Sequence, residues 1–242
     1  MNAIKLKNIS VKFPIQTIKS NNEKKSLFDF FKTTPEKSFL AISNFNLEIN
    51  TGDRVGLVGL NGAGKSTLLK VMAGIYAPSS GSVITNGKIS ALFDLSTGFE
   101  MELNAIENIK IRLLFLGFSK NEISILSNNI INFAELGEFI YQPIKTYSAG
   151  MFLRLAFSVS TSINPEILLA DEIIGAGDHI FARKAQQRLK EFMDDGKTSV
   201  LATHSTELIH AYCNRVIWMN KGSIIMDGNV DQVMPAYLAG SK

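Results

Sequence analysis

The chain of 242 residues contains one cysteine, one tryptophan, three histidines and six prolines, and its charges nearly cancel, 25 Lys and Arg against 22 Asp and Glu. Each shortage excludes something. Cys213 alone cannot close an internal disulfide, so this is no disulfide-stapled secreted module, and a reducing cytoplasm suits it. A net charge of +3 with 45% hydrophobic residues is the reverse of a disordered composition. The same charge is too small to argue for nucleic acid as a partner. No apolar run approaches the ~18 residues that a membrane helix needs; residues 167–170 and 216–219 come nearest. The opening Met1-Asn-Ala-Ile-Lys5 lacks the apolar stretch of a signal peptide. Any membrane role is therefore expected to pass through a partner. The length allows one large domain or two closely joined lobes.

Apolar and polar residues alternate over 3–13, which predicts a strand at a sheet edge. After Pro14 a polar run, then Leu27-Phe-Asp-Phe-Phe31 and Thr33-Thr-Pro35, predict an insertion over 14–38 between two strands. Residues 45–49 alternate again, Thr51-Gly-Asp53 turns, and 54–58 reads as a buried strand running into a glycine-rich loop. A helical period begins at Lys65 and stops at Gly74, a good C-terminal cap. Helical periodicity over 105–116, 120–136 and 150–161 predicts a mainly helical lobe, 100–162, set within a sheet-containing lobe of 1–99 and 163–242. The short apolar runs 167–170 and 199–202 end in polar residues, as central parallel strands do, with a helix over 182–193 between them. Residues 215–219 and 223–226 around Asn220-Lys-Gly222 predict a hairpin. The expected class is α/β, a mixed and largely parallel sheet with helices.

Gly59-Leu60-Asn61-Gly62-Ala63-Gly64-Lys65-Ser66 matches the GxxxxGK[ST] pattern, after a predicted strand and at the head of a predicted helix. A chance match in a chain this long has a probability on the order of one in a hundred before that context is required. The chemistry explains the residue types. Glycines let the backbone curl so that successive amides face phosphate oxygens, and the helix N-terminus adds its positive end. Lys65 supplies a full charge to the β and γ phosphates, and the Ser66 hydroxyl, with Thr67 beside it, is placed to ligate Mg²⁺. The loop thus predicts a nucleoside triphosphate with magnesium, without saying what the energy is used for.

Ile167-Leu-Leu-Ala-Asp171-Glu172 brings two adjacent acids to the C-terminal end of a strand, where ligands collect in parallel sheets. One can reach magnesium while the other polarises water. Tyr147-Ser148-Ala149-Gly150-Met151 opens a helix, and alone it reads as a plain capped start, since Ser148 is a good N-cap.

Together these motifs resemble the ATP-binding subunits of ABC transporters, over most of the chain. The family signature is usually LSGGQ; the version here is similar to the Tyr-Ser-Ser-Gly-Met of the subfamily that exports O-antigen and capsular polysaccharides. The resemblance implies a P-loop ABC ATPase fold and a role for each matching residue. Asp171 would orient the magnesium and Glu172 would be the general base. Ser148 and Gly150 would meet the γ phosphate held by a second copy, and Asp178, in Gly175-Ala-Gly-Asp178, would lie in the dimer-contact loop. His204, in Ala202-Thr-His-Ser205, matches the residue that contacts the γ phosphate, though a lone His at a strand end is more often a structural residue. Phe13 is either the aromatic that stacks on adenine or an ordinary strand residue. Where the family places Gln, Ala91-Leu-Phe-Asp94 offers an acid that can coordinate magnesium or hold a water. Residues 103–109 resemble the segment that docks on the membrane subunit.

One loop and one signature imply a head-to-tail homodimer with two composite ATP sites, peripheral on the cytoplasmic face of the inner membrane. Its partner would be a separate integral membrane transporter subunit, in two copies. The expected cargo is a lipid-linked polysaccharide, O-antigen first, with capsular polysaccharide or teichoic acid as alternatives. A soluble ABC ATPase of DNA repair or translation is the remoter rival; such proteins carry long coiled-coil insertions or two cassettes. A regulator that binds without hydrolysing is disfavoured by Glu172 and His204. In the insertion, Lys24-Lys-Ser-Leu-Phe-Asp-Phe-Phe-Lys32 reads either as an amphipathic segment at a membrane surface or as a surface helix on its own domain. The cassette fills the chain to Met226, so no C-terminal carbohydrate-binding domain is expected.

Overall fold

Two sheets of different kinds meet beneath the glycine-rich loop. The computed structural model describes residues 1–15, 38–93, 98–163, 165–171 and 179–240. Strand β1 (Asn2–Pro14) pairs antiparallel with β2 (Ser38–Asn50) on one side and β4 (Ser80–Thr85) on the other. It is therefore the middle strand of a three-stranded sheet, not the edge strand expected from its alternation. Alternation reports that one face is buried; it carries no information about whether both lateral edges are hydrogen-bonded. Pro14 pairs with Ser38, so the strands that flank the expected insertion close on each other. Residues 16–37 of that insertion lie outside the described residues.

The second sheet has the order β5 (Ile89–Ala91), β6 (Ile167–Asp171), β7 (Thr198–Ala202), β3 (Arg54–Val58), β8 (Arg215–Asn220), β9 (Ser223–Asn229). All neighbours are parallel except the final hairpin. β3, β6 and β7 are buried along almost their whole length, which is why they read as continuous apolar runs. The hairpin turns at Lys221 and Gly222, both with positive φ (43° and 76°), as a two-residue turn of matching twist requires.

Helix α1 (Lys65–Met72) follows the loop and buries Leu68, Leu69, Val71 and Met72. Between β5 and β6 come α2 (Ala105–Phe115), α3 (Lys120–Ala134) and α4 (Ala149–Ser162). α2 and α3 begin at capping boxes, Asn104 with Glu107 and Ser119 with Glu122, each satisfying two donors at a helix start. The rest is α5 (His179–Asp194), α6 (Thr206–Tyr212) and α7 (Val230–Gly240). One apolar cluster lies between the two sheets and α1, with Ile4, Leu6, Ile49, Leu57, Leu68 and Ile217 at its centre. A second joins Ile109, Leu113, Leu155 and Val159 of α2 and α4 to Leu168, Phe181 and Leu201 on the other face of the large sheet. The helical segment therefore shares its core with the sheet.

Arg215 links the two sheets. Its guanidinium forks onto Asp227 of β9 (2.8 and 2.7 Å) and donates to Asp53 (3.2 Å) and to the Glu48 carbonyl of β2 (2.8 Å).

Cys213 sits after α6 with its sulfur against the position of Gly56, and burial pushes its thiol up to about 12. A raised value means that the thiol stays protonated; at pH 8 roughly one in 10⁴ is thiolate, and thiolate is the reactive form. Folded protein is expected to resist Ellman's reagent at pH 8 and to release one equivalent per chain once unfolded in guanidinium. Full reaction of the native protein within minutes would contradict this burial.

Candidate functional site

The glycine-rich loop leaves β3 at Gly59 and enters α1 at Lys65, with Gly64 as N-cap in a left-handed conformation (φ 101°). The first intrahelical bond runs from Leu68 N–H to Gly64 C=O, which leaves the amides of the first turn without helical acceptors and pointing out of the helix. Two other stretches of backbone press on the loop. A Cβ on Gly59 would lie 2.3 Å from the Met219 carbonyl oxygen of β8. In the hairpin turn, Gly222 N–H donates to Ala63 C=O (2.9 Å), while Gly222 C=O accepts from Ser43 N–H (3.1 Å). A Cβ on Gly222 would meet the Ala41 carbonyl oxygen at 2.4 Å.

Lys65 is buried, and its ammonium donates to Gly59 C=O at 2.7 Å, with Leu60 C=O at 3.4 Å and His204 Nε2 at 3.3 Å. Ser66 Oγ donates to Asp171 Oδ2 at 2.6 Å. Asp171 ends β6 and His204 follows β7, so two adjacent parallel strands deliver their ends to the loop. The cleft between them is about 480 Å³, lined by Asn61, Gly62, Ala63, Gly64, Lys65, Ser66, Thr67, Asp171 and His204, together with Phe39, Ala41 and Phe93. Gly59 and Leu60 stand outside that lining and act through their carbonyls on Lys65.

Phe13 is not among the lining residues. It is half-buried and packs edge-on to Tyr76, with ring centroids 5.5 Å apart. Its cross-strand partner Phe39, 56% exposed, lines the cleft. Only the β1–β2 register identifies Phe39, and that register bridges the intervening 16–37. Phe93, which follows β5, was missed for a similar reason: β5 is three residues long and carries no periodic signal.

Ser148 caps α4, its hydroxyl accepting from Met151 N–H at 3.3 Å. Neither Ser148 nor Gly150 lines the cleft. Among the described residues a Cβ on Gly150 would meet only Ser148 Oγ, at 4.0 Å, so none of them demands a glycine there. Asp94, Glu172 and Asp178 lie outside the described residues.

The cleft suits a polyphosphate: amide donors, a helix N-terminus and one ammonium converge on it. Beside them a hydroxyl and a carboxylate present the hard oxygen donors that Mg²⁺ prefers. Among the described residues no group of three or more His, Cys, Asp or Glu is placed to hold an ion.

Comparison with known proteins agrees with this geometry. A family model described as "ABC transporter" matches residues 42–175. The teichoic acids export ATP-binding protein TagH of Lactococcus lactis subsp. lactis (strain IL1403) is 40% identical over 234 residues, 97% of this chain and 50% of that protein. The O-antigen export system ATP-binding protein RfbB of Myxococcus xanthus is 43% identical over 197 residues, 81% of this chain and 45% of that one. The chain thus spans about half the length of the curated relatives it matches. Among solved structures, a post-hydrolysis dimer of the ATP-binding cassette MJ0796 bound to ADP and Pi superposes with a TM-score of 0.74 at 25% identity, covering 94% of this chain and 98% of that one.

The Gly59 contact yields a test. Gly59→Ala forces β8 or the loop to move, at a cost of more than ~2 kcal/mol, which lowers Tm by roughly 4–8 °C in a chain of this size. Nucleotide affinity should fall with it, read by titration with a fluorescent nucleotide. An unchanged Tm and affinity would show that the loop does not depend on this approach.

Proposed function

The chain belongs to the ABC transporter family, and on that premise we propose that it is the ATP-hydrolysing subunit of a polysaccharide exporter. One observation carries the reading. The loop, Ser66, Asp171 and His204 share a cleft, while Ser148 and Gly150 at the start of α4 are not part of it. A complete site then takes its signature from a second copy, giving a head-to-tail homodimer with two composite ATP sites.

Within each site the residues divide the work. Lys65 and His204 hold the γ phosphate, and Ser66 with Asp171 hold Mg²⁺, with Asp94 as a further oxygen donor. The ion, when bound, neutralises charge building between the β and γ phosphates. Glu172, next in the chain to Asp171, takes the proton of the attacking water as general base. Phe39 faces the adenine in place of Phe13. Asp178 contributes to the contact between copies. Residues 1–99 and 163–242 form the nucleotide-holding lobe, and 100–162 form the lobe that presents the signature.

Among the described residues no helix is long and apolar enough to cross a membrane. We assign the passage to a separate integral subunit, in two copies, with this chain peripheral on the cytoplasmic side of the inner membrane. The Tyr147-Ser-Ala-Gly-Met151 signature and the relative named for O-antigen export support a lipid-linked O-antigen as cargo. Teichoic acid is the second reading, favoured by the 40% identity to TagH over 97% of the chain.

Gly150→Ala tests the composite site. Alanine meets nothing nearer than 4.0 Å among the described residues and is the better helix former, so Tm and nucleotide binding by single copies should hold. Its methyl group would sit where the partner's γ phosphate must approach, and a displacement of an ångström can cost about 10² in rate. The expected result is a fall of that order in kcat. An unchanged kcat would place the signature outside the reaction.

A further inference from the structure

Asn108 of α2 is 1% exposed, and its carboxamide makes four contacts with backbone. Oδ1 accepts from Glu100 N–H at 2.7 Å; Nδ2 faces the carbonyls of Glu100 (3.0 Å), Leu103 (3.2 Å) and Asn104 (3.0 Å). A buried side chain tied this often to one short stretch is a clamp: Oδ1 holds the Glu100 N–H, and Nδ2 gathers three carbonyls that also accept from the Leu103, Ile144 and Asn108 N–H groups. It fixes the turn of 100–104 against α2.

That turn in its turn grips the chain just ahead of the signature. Ile144 N–H donates to Leu103 C=O and Lys145 N–H to Met101 C=O, both at 3.0 Å. The Lys145 ammonium pairs with Glu102, and Asn104 forms an isolated bridge with Pro143. Tyr147 N–H returns to Ile144 C=O at 3.0 Å, and Ser148 follows as the cap of α4. Phe99 adds an edge-on contact with Phe152 of α4, with centroids 5.3 Å apart.

We propose that Asn108 is a positioning residue for the signature: by clamping the 100–104 turn it sets where Ser148 and Gly150 are presented to a second copy. The inference rests on the composite-site reading given above. Its effect should appear in kcat and not in nucleotide affinity, because the clamp touches none of the residues that line the cleft.

The test uses the full chain and compares Asn108→Ala and Asn108→Ser with Ser119→Ala. Ser119→Ala removes a helix cap from α3, with no tie to 143–148. Both sites should lose thermal stability. Asn108→Ala should lower kcat about tenfold or more while fluorescent-nucleotide affinity stays within about twofold, since misplacement acts on the reacting geometry. Ser119→Ala should leave both constants alone. At the far end of the tie, exposed Glu102→Lys should lower kcat about two- to fivefold, as loss of a surface ion pair allows, and Lys145→Glu in the same chain should restore it. Should Asn108→Ala fail to fold, Asn108→Ser and the charge swap carry the test. The proposal is overturned if kcat in the Asn108 variants falls no further than in Ser119→Ala, if affinity falls alongside kcat, or if the swap restores nothing. A wild-type chain without ATPase activity, or full kcat in Gly150→Ala, would instead sink the composite-site reading and this inference with it.

Discussion

The phosphate-binding loop keeps its shape because three backbones lie closer together than side chains would permit. Gly59 rests on the Met219 carbonyl at the end of β8, and Gly222 in the next turn rests on Ala41 of β2 while bonding Ala63 of the loop. The loop is thus wedged between the parallel sheet and the antiparallel one. Buried Lys65 then finds its acceptor, Gly59 C=O, at a fixed place, and its charge is aimed before any phosphate arrives. Preorganisation of this kind removes a cost from binding, since neither loop nor lysine has to be ordered by the ligand. Arg215 serves the same end from below, joining Asp53, Asp227 and the Glu48 carbonyl so that the two sheets hold a constant relation.

On this fixed floor the large sheet brings acid and imidazole to the loop. β6 and β7 are neighbours in register, so Asp171 and His204 arrive from adjacent strand ends. The signature reaches its place by another route, through α2, the 100–104 turn and the start of α4. The helical segment shares its core with the sheet through Leu168 and Leu201, yet the amides at the start of α4 are not part of the chain's own cleft. Under the composite-site proposal, an ATPase assembled in this way is incomplete in one copy, and hydrolysis is tied to the approach of two.

Much of this was legible in the residues. The loop, Asp171 at the end of β6, the helices α2 to α4 and the β8–β9 hairpin all carry local signals: turn glycines, apolar periods, caps. What was hidden depends on lateral or distant pairing. β1 alternates like an edge strand but is hydrogen-bonded on both sides. Phe39 enters the cleft only because of its register with Phe13. Gly222 reads as a turn residue, and nothing local says that its turn also braces the phosphate loop. Asn108 looks like one polar residue in an amphipathic helix, and its value appears only once 100–104 folds back onto it. The N-terminal insertion, Asp94, Glu172 and Asp178 lie outside the described residues, and their roles remain proposals from the sequence and the family.

The central claim is that each reaction site is shared between two copies, and complementation tests it most directly. Lys65→Ala removes the charge from the loop and Gly150→Ala obstructs the signature, so each variant alone should be nearly inactive. In a mixed dimer one site carries both defects and the other carries neither. Equal mixing, with random pairing of copies, should therefore restore about a quarter of wild-type ATPase activity. Activity that stays at the level of the separate variants would contradict a shared site.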